Sequence, residues 1–230
     1  MKIEQIGDVI KSRGIKAVVY GFAGAGKTRL LATLPGKGLV VSAESGLLSL
    51  DGVAHAGQMD VVEIGGIKEL REVYAHLTTT PHDYKWVALD SISEIGEVVL
   101  TAEKLKTPDP RKAYGALIDE IGSVLRAFRD LAGMDVYFSA KAAKTKDDAT
   151  GRVLVEMMFP GSKVAQAVPY LFDEVFFLTV LTDKDTGETT RWLQTQSDAR
   201  VDCKDRSGKL DAFEPADLGA VFAKIKGAVK

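Results

Sequence analysis

Gly21-Phe22-Ala23-Gly24-Ala25-Gly26-Lys27-Thr28 constrains this chain more than any other stretch. It reads G-x-x-x-x-G-K-T and lies between an apolar run, Lys16 to Tyr20, and a segment of helical character, Arg29 to Leu34. A strand that passes through a glycine turn into a helix is the opening unit of an α/β sheet. The three glycines let successive backbone N–H groups aim at one point, and the positive end of the following helix faces the same point. Such a point attracts an anion. With Lys27 and Thr28 in register, the pattern implies a nucleoside triphosphate. Residues 21–28, with Arg29 beside them, line the phosphate cradle; Lys27 reaches the β- and γ-phosphates, and the Thr28 hydroxyl ligates Mg²⁺.

The remaining chain is long enough, at 230 residues, to close one α/β domain around a substantial core. The expectation is one domain over 1–230, with 1–14 as a helical extension: Ile3, Ile6, Val9 and Ile10 are spaced three and four apart, and Gly14 ends the pattern. A net charge of −2 excludes a globally basic nucleic-acid binder, so any such surface is a local patch. One cysteine, Cys203, excludes an internal disulfide and suits a reducing compartment. No apolar run approaches the ~18 residues that span a bilayer, and no signal-peptide core is present, so the expected location is cytoplasmic with no membrane partner.

Beyond the glycine loop, polar residues fall where strands end. Gly38 to Ala43 reads as a short buried strand ending at Glu44, and the outer strand ends of open α/β sheets face the ligand crevice. The other reading of Glu44 is a solvated loop carboxylate. Lys85 to Leu89 is an apolar strand ending at Asp90. Behind a phosphate loop this aspartate holds the Mg²⁺ water shell beside Thr28, and it could also cap the helix from Ser93. Many ATPases place a catalytic glutamate immediately after that aspartate. Here the next residue is Ser91, so Glu44 is the first candidate to activate water and Glu94 the second.

Two basic stretches follow. Pro108 and Pro110 are expected to end a helix near Lys104 and leave a loop carrying Lys106, Arg111, Lys112 and Tyr114 before a helix from Ala116 to Leu131. Cations interleaved with an aromatic suit a single strand of nucleic acid, although a solvated loop has the same composition. Met134 to Ser139 reads as a strand whose tip, Ser139, is placed to sense the γ-phosphate. Lys141, Lys144 and Lys146 then lead through Asp147–Arg152 into Val153–Gly161, a hairpin with lysines on its first arm and Arg152 at its turn. It is a second candidate nucleic-acid element, or a charged edge that blocks aggregation. Phe172–Leu181 and Thr189–Gln196 form a C-terminal hairpin, and a last helix starts near Pro215.

In order, the glycine loop, Val41-Ser42-Ala43-Glu44, Leu89-Asp90-Ser91 and the Ser139 strand resemble the RecA-like ATPase core. That resemblance implies a mainly parallel central sheet with helices on both faces, and hydrolysis of ATP with Mg²⁺. Tyr114-Gly115, Phe159-Pro160-Gly161, Phe172-Asp173-Glu174-Val175 and Lys204-Asp205-Arg206 make the chain, over residues 15–225, similar to phage-encoded Sak-type single-strand annealing ATPases. That family implies binding and annealing of single-stranded DNA in recombination, a homo-oligomeric ring or filament, and a phage single-strand binding protein as partner. Lys204 and Arg206 resemble the lysine and arginine that RecA-like helicases and recombinases insert into a neighbouring subunit's site; the other reading of the pair is a solvated basic turn. Ser139 departs from the glutamine of full recombinases. Two other functions fit the motif order less closely: an ATP-switched regulator or loader of a replication protein, and a small-molecule kinase, for which no arginine-rich lid is visible.

Overall fold

The structure is a computed structural model that describes residues 3–44, 46–53, 56–147 and 151–228. The expected hairpin tip, Asp148 to Thr150, and the side chain of Ile10 lie outside the described residues.

The strands in chain order are β1 (Lys16–Gly21), β2 (Gly38–Ser42), β3 (Met59–Glu63), β4 (Trp86–Asp90) and β5 (Asp135–Lys146), then β6 (Val153–Met157), β7 (Glu174–Thr182), β8 (Thr189–Gln194), β9 (Lys204–Asp205) and β10 (Phe213–Pro215). Their order across the sheet is β10-β8-β7-β1-β5-β4-β2-β3. From β7 to β3 every pairing is parallel. β8 extends the sheet antiparallel to β7, and β10 pairs antiparallel with β8, so the C-terminal hairpin is present. β1 and β4 are not neighbours: β5 lies between them. All parallel strands therefore deliver their C-terminal ends to one edge, where the glycine loop starts.

Helices cover both faces, because parallel strands are apolar on both sides. On one face α2 (Ile67–Thr79), α3 (Ile92–Lys106), α4 (Pro110–Arg129) and α5 (Ser162–Ala167) pack over Val18, Val41, Leu89 and Phe138. On the other, a 3₁₀ helix at Thr28–Thr33 and α6 (Leu218–Lys226) cover Val19, Val40, Ala88 and Tyr137. α1 (Ile6–Ser12) precedes β1, with Ile3 and Ile6 exposed.

Four local expectations are corrected. The segment after the glycine loop is a six-residue 3₁₀ helix rather than an α-helix. Pro35 cannot continue it, and Gly36 turns away at φ +78. The basic loop of 104–115 is mostly helix. α3 runs to Lys106, and α4 starts at Pro110 because proline is well placed at a first helical position, here capped by the Asp109 carboxylate. Ser139 is not a strand tip: β5 continues seven residues past it as the first arm of the β5–β6 hairpin. Finally, α3 is capped by Ser91, whose hydroxyl accepts the Glu94 N–H, leaving both Asp90 oxygens for other work.

Glu174, the first residue of β7, is buried at 2 % exposure opposite Asp205 on β9. Asp205 accepts from Ser207 Oγ and from the Gly208 and Leu210 N–H groups, while one Glu174 oxygen has no partner. Burial first, then the Asp205 charge, pushes the Glu174 carboxyl up to about 8, so the folded chain holds a proton there that the unfolded chain releases near 4.5. The resulting stability is present in full below the unfolded value and is lost as pH rises through the folded one. Between pH 5.5 and 8.5 the Tm should fall by several degrees, at roughly 2–4 °C per kcal/mol for a chain of this size. Glu174→Gln should flatten that slope. Parallel slopes in the two proteins would place the titration elsewhere.

Candidate active site

Register brings the site together. Ser42 pairs with Asp90, Leu89 with Phe138 and Gly21 with Lys141, so Glu44, Asp90, Ser139 and Lys141 emerge beside the glycine loop. Within the loop Gly24 and Gly26 adopt φ +73 and +105, values that side-chain-bearing residues rarely hold. Ala25 N–H closes a turn onto Phe22 O at 3.2 Å. Among the described residues, the Gly24, Gly26 and Lys27 amides donate to no backbone carbonyl, which leaves them for a ligand. The Lys27 ammonium folds back onto Gly21 O (3.0 Å) and Phe22 O (3.1 Å). Burial lowers its pKa, against the pull of Asp90 and Glu44.

Thr28 Oγ1 donates to Asp90 Oδ2 at 2.6 Å, and Ser139 donates to Asp90 Oδ1. A hydroxyl and a carboxylate at this spacing are the hard oxygen donors Mg²⁺ accepts, together with phosphate and water. Among the described residues no cluster of three or more His, Cys, Asp or Glu forms an all-protein cage, which a phosphate-loop Mg²⁺ does not need. The residues present fit the ion.

Glu44 stands across from this pair. Its Oε1 accepts from Ser91 Oγ at 2.5 Å and lies 3.3 Å from Lys141 Nζ, which also reaches Glu94 Oε2 at 2.5 Å. The Asp90–Ser91 peptide is cis.

Sequence reasoning missed two cations here. Lys141, grouped with the nucleic-acid lysines, faces the Glu44 carboxylate, because side chains alternate along a strand and Lys144 and Lys146 take the opposite face. Arg191 on β8 donates from Nε to Ala25 O at 3.0 Å, and a Cβ placed on Gly26 would lie 3.3 Å from that nitrogen. Only the alternation around Lys141 was a usable signal; Arg191 had none. Arg29, expected beside the phosphates, instead donates to Ser49 O at 2.9 Å.

The chain from residue 13 to residue 207 matches the model of an AAA domain family, AAA_24. The chain belongs to that family. This AAA domain is a P-loop ATPase domain of the α/β class, and its parallel sheet with β5 between the P-loop strand and the Asp90 strand is the RecA-like arrangement. Among solved structures it is similar to a KaiC-like protein of the hyperthermophilic archaeon Pyrococcus horikoshii, at 15 % identity and a TM-score of 0.45, over 81 % of this chain and 80 % of that one. No curated protein matches. Among the described residues no helix is long and apolar enough to cross a membrane.

The other expected residues fall in three places. Lys144 and Lys146 are exposed on the hairpin arm, with Lys144 Nζ 5.5 Å from the centre of the Phe22 ring, and Arg152 immediately precedes β6. Arg111, Lys112 and Tyr114 are on the first turns of α4; Lys106 is paired with Glu103, and Lys104 lies 5.7 Å over Tyr114. Lys204 and Arg206 are at the far end of the sheet. Lys204 donates to Pro169 O and Arg206 to Asp173 Oδ1, each at 2.8 Å.

Proposed function

We propose that this AAA domain hydrolyses ATP and couples turnover to single-stranded DNA held on the β5–β6 hairpin, in an oligomer whose neighbouring subunits complete each other's sites. The observation that carries this reading is continuity. One strand, β5, touches Asp90 through Ser139, meets Glu44 through Lys141, and then carries Lys144 and Lys146 outward.

In the reaction, the residue 21–28 loop binds the phosphate chain and Lys27 exchanges its carbonyl partners for the β- and γ-oxygens. Mg²⁺ held by Thr28 and Asp90 supplies charge neutralisation on the phosphates. Ser139 fixes the Asp90 carboxylate. Glu44 takes a proton from the attacking water as its oxygen bonds to the γ-phosphorus and the bond to the bridging oxygen breaks. Lys204 and Arg206 enter from the adjacent subunit to stabilise the charge that develops.

A cleft of about 630 Å³ supports the DNA assignment. It runs beside Phe22 and the P-loop and is lined by Val153, Val155 and Phe177 together with Lys144, Arg200 and Asp198. Apolar side chains with two cations among them suit unstacked bases and their phosphates. ATP turnover should rise on adding a thymidine homopolymer. Its binding should weaken with salt at a log–log slope of about −2, for three phosphate contacts at roughly 0.7 each. Turnover indifferent to single strands, with no salt-sensitive binding, would leave the ATPase and remove its DNA. A captured replication protein in that case would favour the loader reading.

A further inference from the structure

Lys141 is the group the hydrolysis reading leaves unexplained. Its ammonium lies 3.3 Å from Glu44 Oε1 and 2.5 Å from Glu94 Oε2. Glu44 therefore has a cation on one side and the Ser91 hydroxyl, at 2.5 Å, on the other. Both engage the same oxygen, Oε1, of the carboxylate that has to accept a proton from water. An oxygen held from two sides in this way is occupied and does not turn freely toward a water.

The backbone of Lys141 is tied as firmly as its head group. Its N–H donates to Ser93 Oγ at 2.9 Å; Ser93 Oγ–H donates to Met158 O at 2.7 Å; the Met158 N–H returns to Lys141 O at 2.7 Å. This closed ring joins the start of α3 to both arms of the hairpin at its root. Three residues further along the same strand, Lys144 is exposed and rests over Phe22 of the P-loop. Because strand residues are fixed by their neighbours' pairing, a pull on the arm reaches Lys141 without an intervening loop.

We propose that Lys141 is a positioning residue that withholds Glu44 from water until the β5–β6 hairpin is displaced, so that a ligand on the hairpin releases the base. This rests on the hydrolysis reading above. In the released state Lys141 keeps Glu94 and gives up Glu44. The second carboxylate thus has its own use, as the place where the cation is parked, instead of being a spare base.

The test is steady-state phosphate release by the full chain without DNA, with Lys27→Ala as background. Lys141→Met and Lys141→Gln should each raise kcat about 5- to 10-fold with KM for ATP unchanged, the size of an ordinary coupling between sites. Lys141→Arg, which keeps the cation, should bring the rate back toward wild type. A thymidine homopolymer should stimulate Lys141→Met by a much smaller factor than wild type. A Lys141→Met rate at or below that of wild type, with wild type above the Lys27→Ala background, overturns the latch and leaves hydrolysis standing. Wild-type turnover no higher than that background overturns both. Equal stimulation of wild type and Lys141→Met overturns the link to the hairpin.

Discussion

Glu44→Gln should bind ATP as the wild type does and release phosphate about 10²- to 10³-fold more slowly, the usual worth of a general base. The substitution keeps the length of the side chain and an acceptor for Ser91 Oγ, so the local packing survives and only the proton acceptor goes. Binding is checked with a fluorescent ATP analogue, and turnover by phosphate release. Loss of less than about threefold would move the role elsewhere, since a base of ordinary efficiency contributes far more than that. Glu94→Gln is the comparison. Glu94 faces Lys141 from the first turn of α3, and on the present geometry its loss should cost much less than that of Glu44.

Arg206→Ala should leave binding intact and reduce turnover by about 10³-fold, the lower end for arginines that stabilise the γ-phosphoryl transition state. The expectation comes from where β9 lies. It pairs with Glu174 and Val175, the first residues of β7, which align with Ala17 and Val18 near the start of β1. The P-loop begins at Gly21, four residues past Ala17 and so about 13 Å away at roughly 3.3 Å per residue. Arg206 cannot cross that span within its own chain, so it acts on a neighbour or not at all. It also has to release Asp173, which it holds at 2.8 Å in an exposed ion pair that costs little to break. Mixing Arg206→Ala with Glu44→Ala chains should restore part of the activity, because some interfaces then combine an intact Glu44 with an intact Arg206. Co-sedimentation of differently tagged chains establishes that the two variants assemble. Mixed oligomers with no recovered turnover would remove the role across the interface.

What the sequence made legible follows from what each signal depends on. The P-loop, the Asp90 strand and the Glu44 strand end were readable because each is local: an apolar run, then a polar residue, within about ten positions. The C-terminal hairpin was readable from Asp183–Glu188 between two apolar runs for the same reason. Pro110 misled because proline both ends helices and begins them, and only the Asp109 cap decides which. β5 was cut short at Ser139 because Lys-Ala-Ala-Lys lacks the β-branched residues that mark strands, and its pairing with β6 supplies what propensity does not. Lys141 beside Glu44 and Arg191 beside Ala25 are contacts between residues about one hundred and more positions apart, and no spacing rule reaches that far.

β5 also divides the molecule in a way that bears on how such chains diversify. Residues Val136 to Lys141 are locked by β1, so their position is set by the ATP site. Residues Ala142 to Lys146 pair with β6 instead, and β6 itself meets the body of the protein through Val155, which bonds to Arg200 O and bridges Val201. The outboard hairpin is therefore an interchangeable attachment on a fixed engine. Its length, charge and turn can be rewritten while Val136 to Lys141 keep their pairing with β1, provided the boundary at Lys141, through which the hairpin communicates with Glu44, is kept. A family built on this plan can retain one chemistry while changing what that chemistry is coupled to.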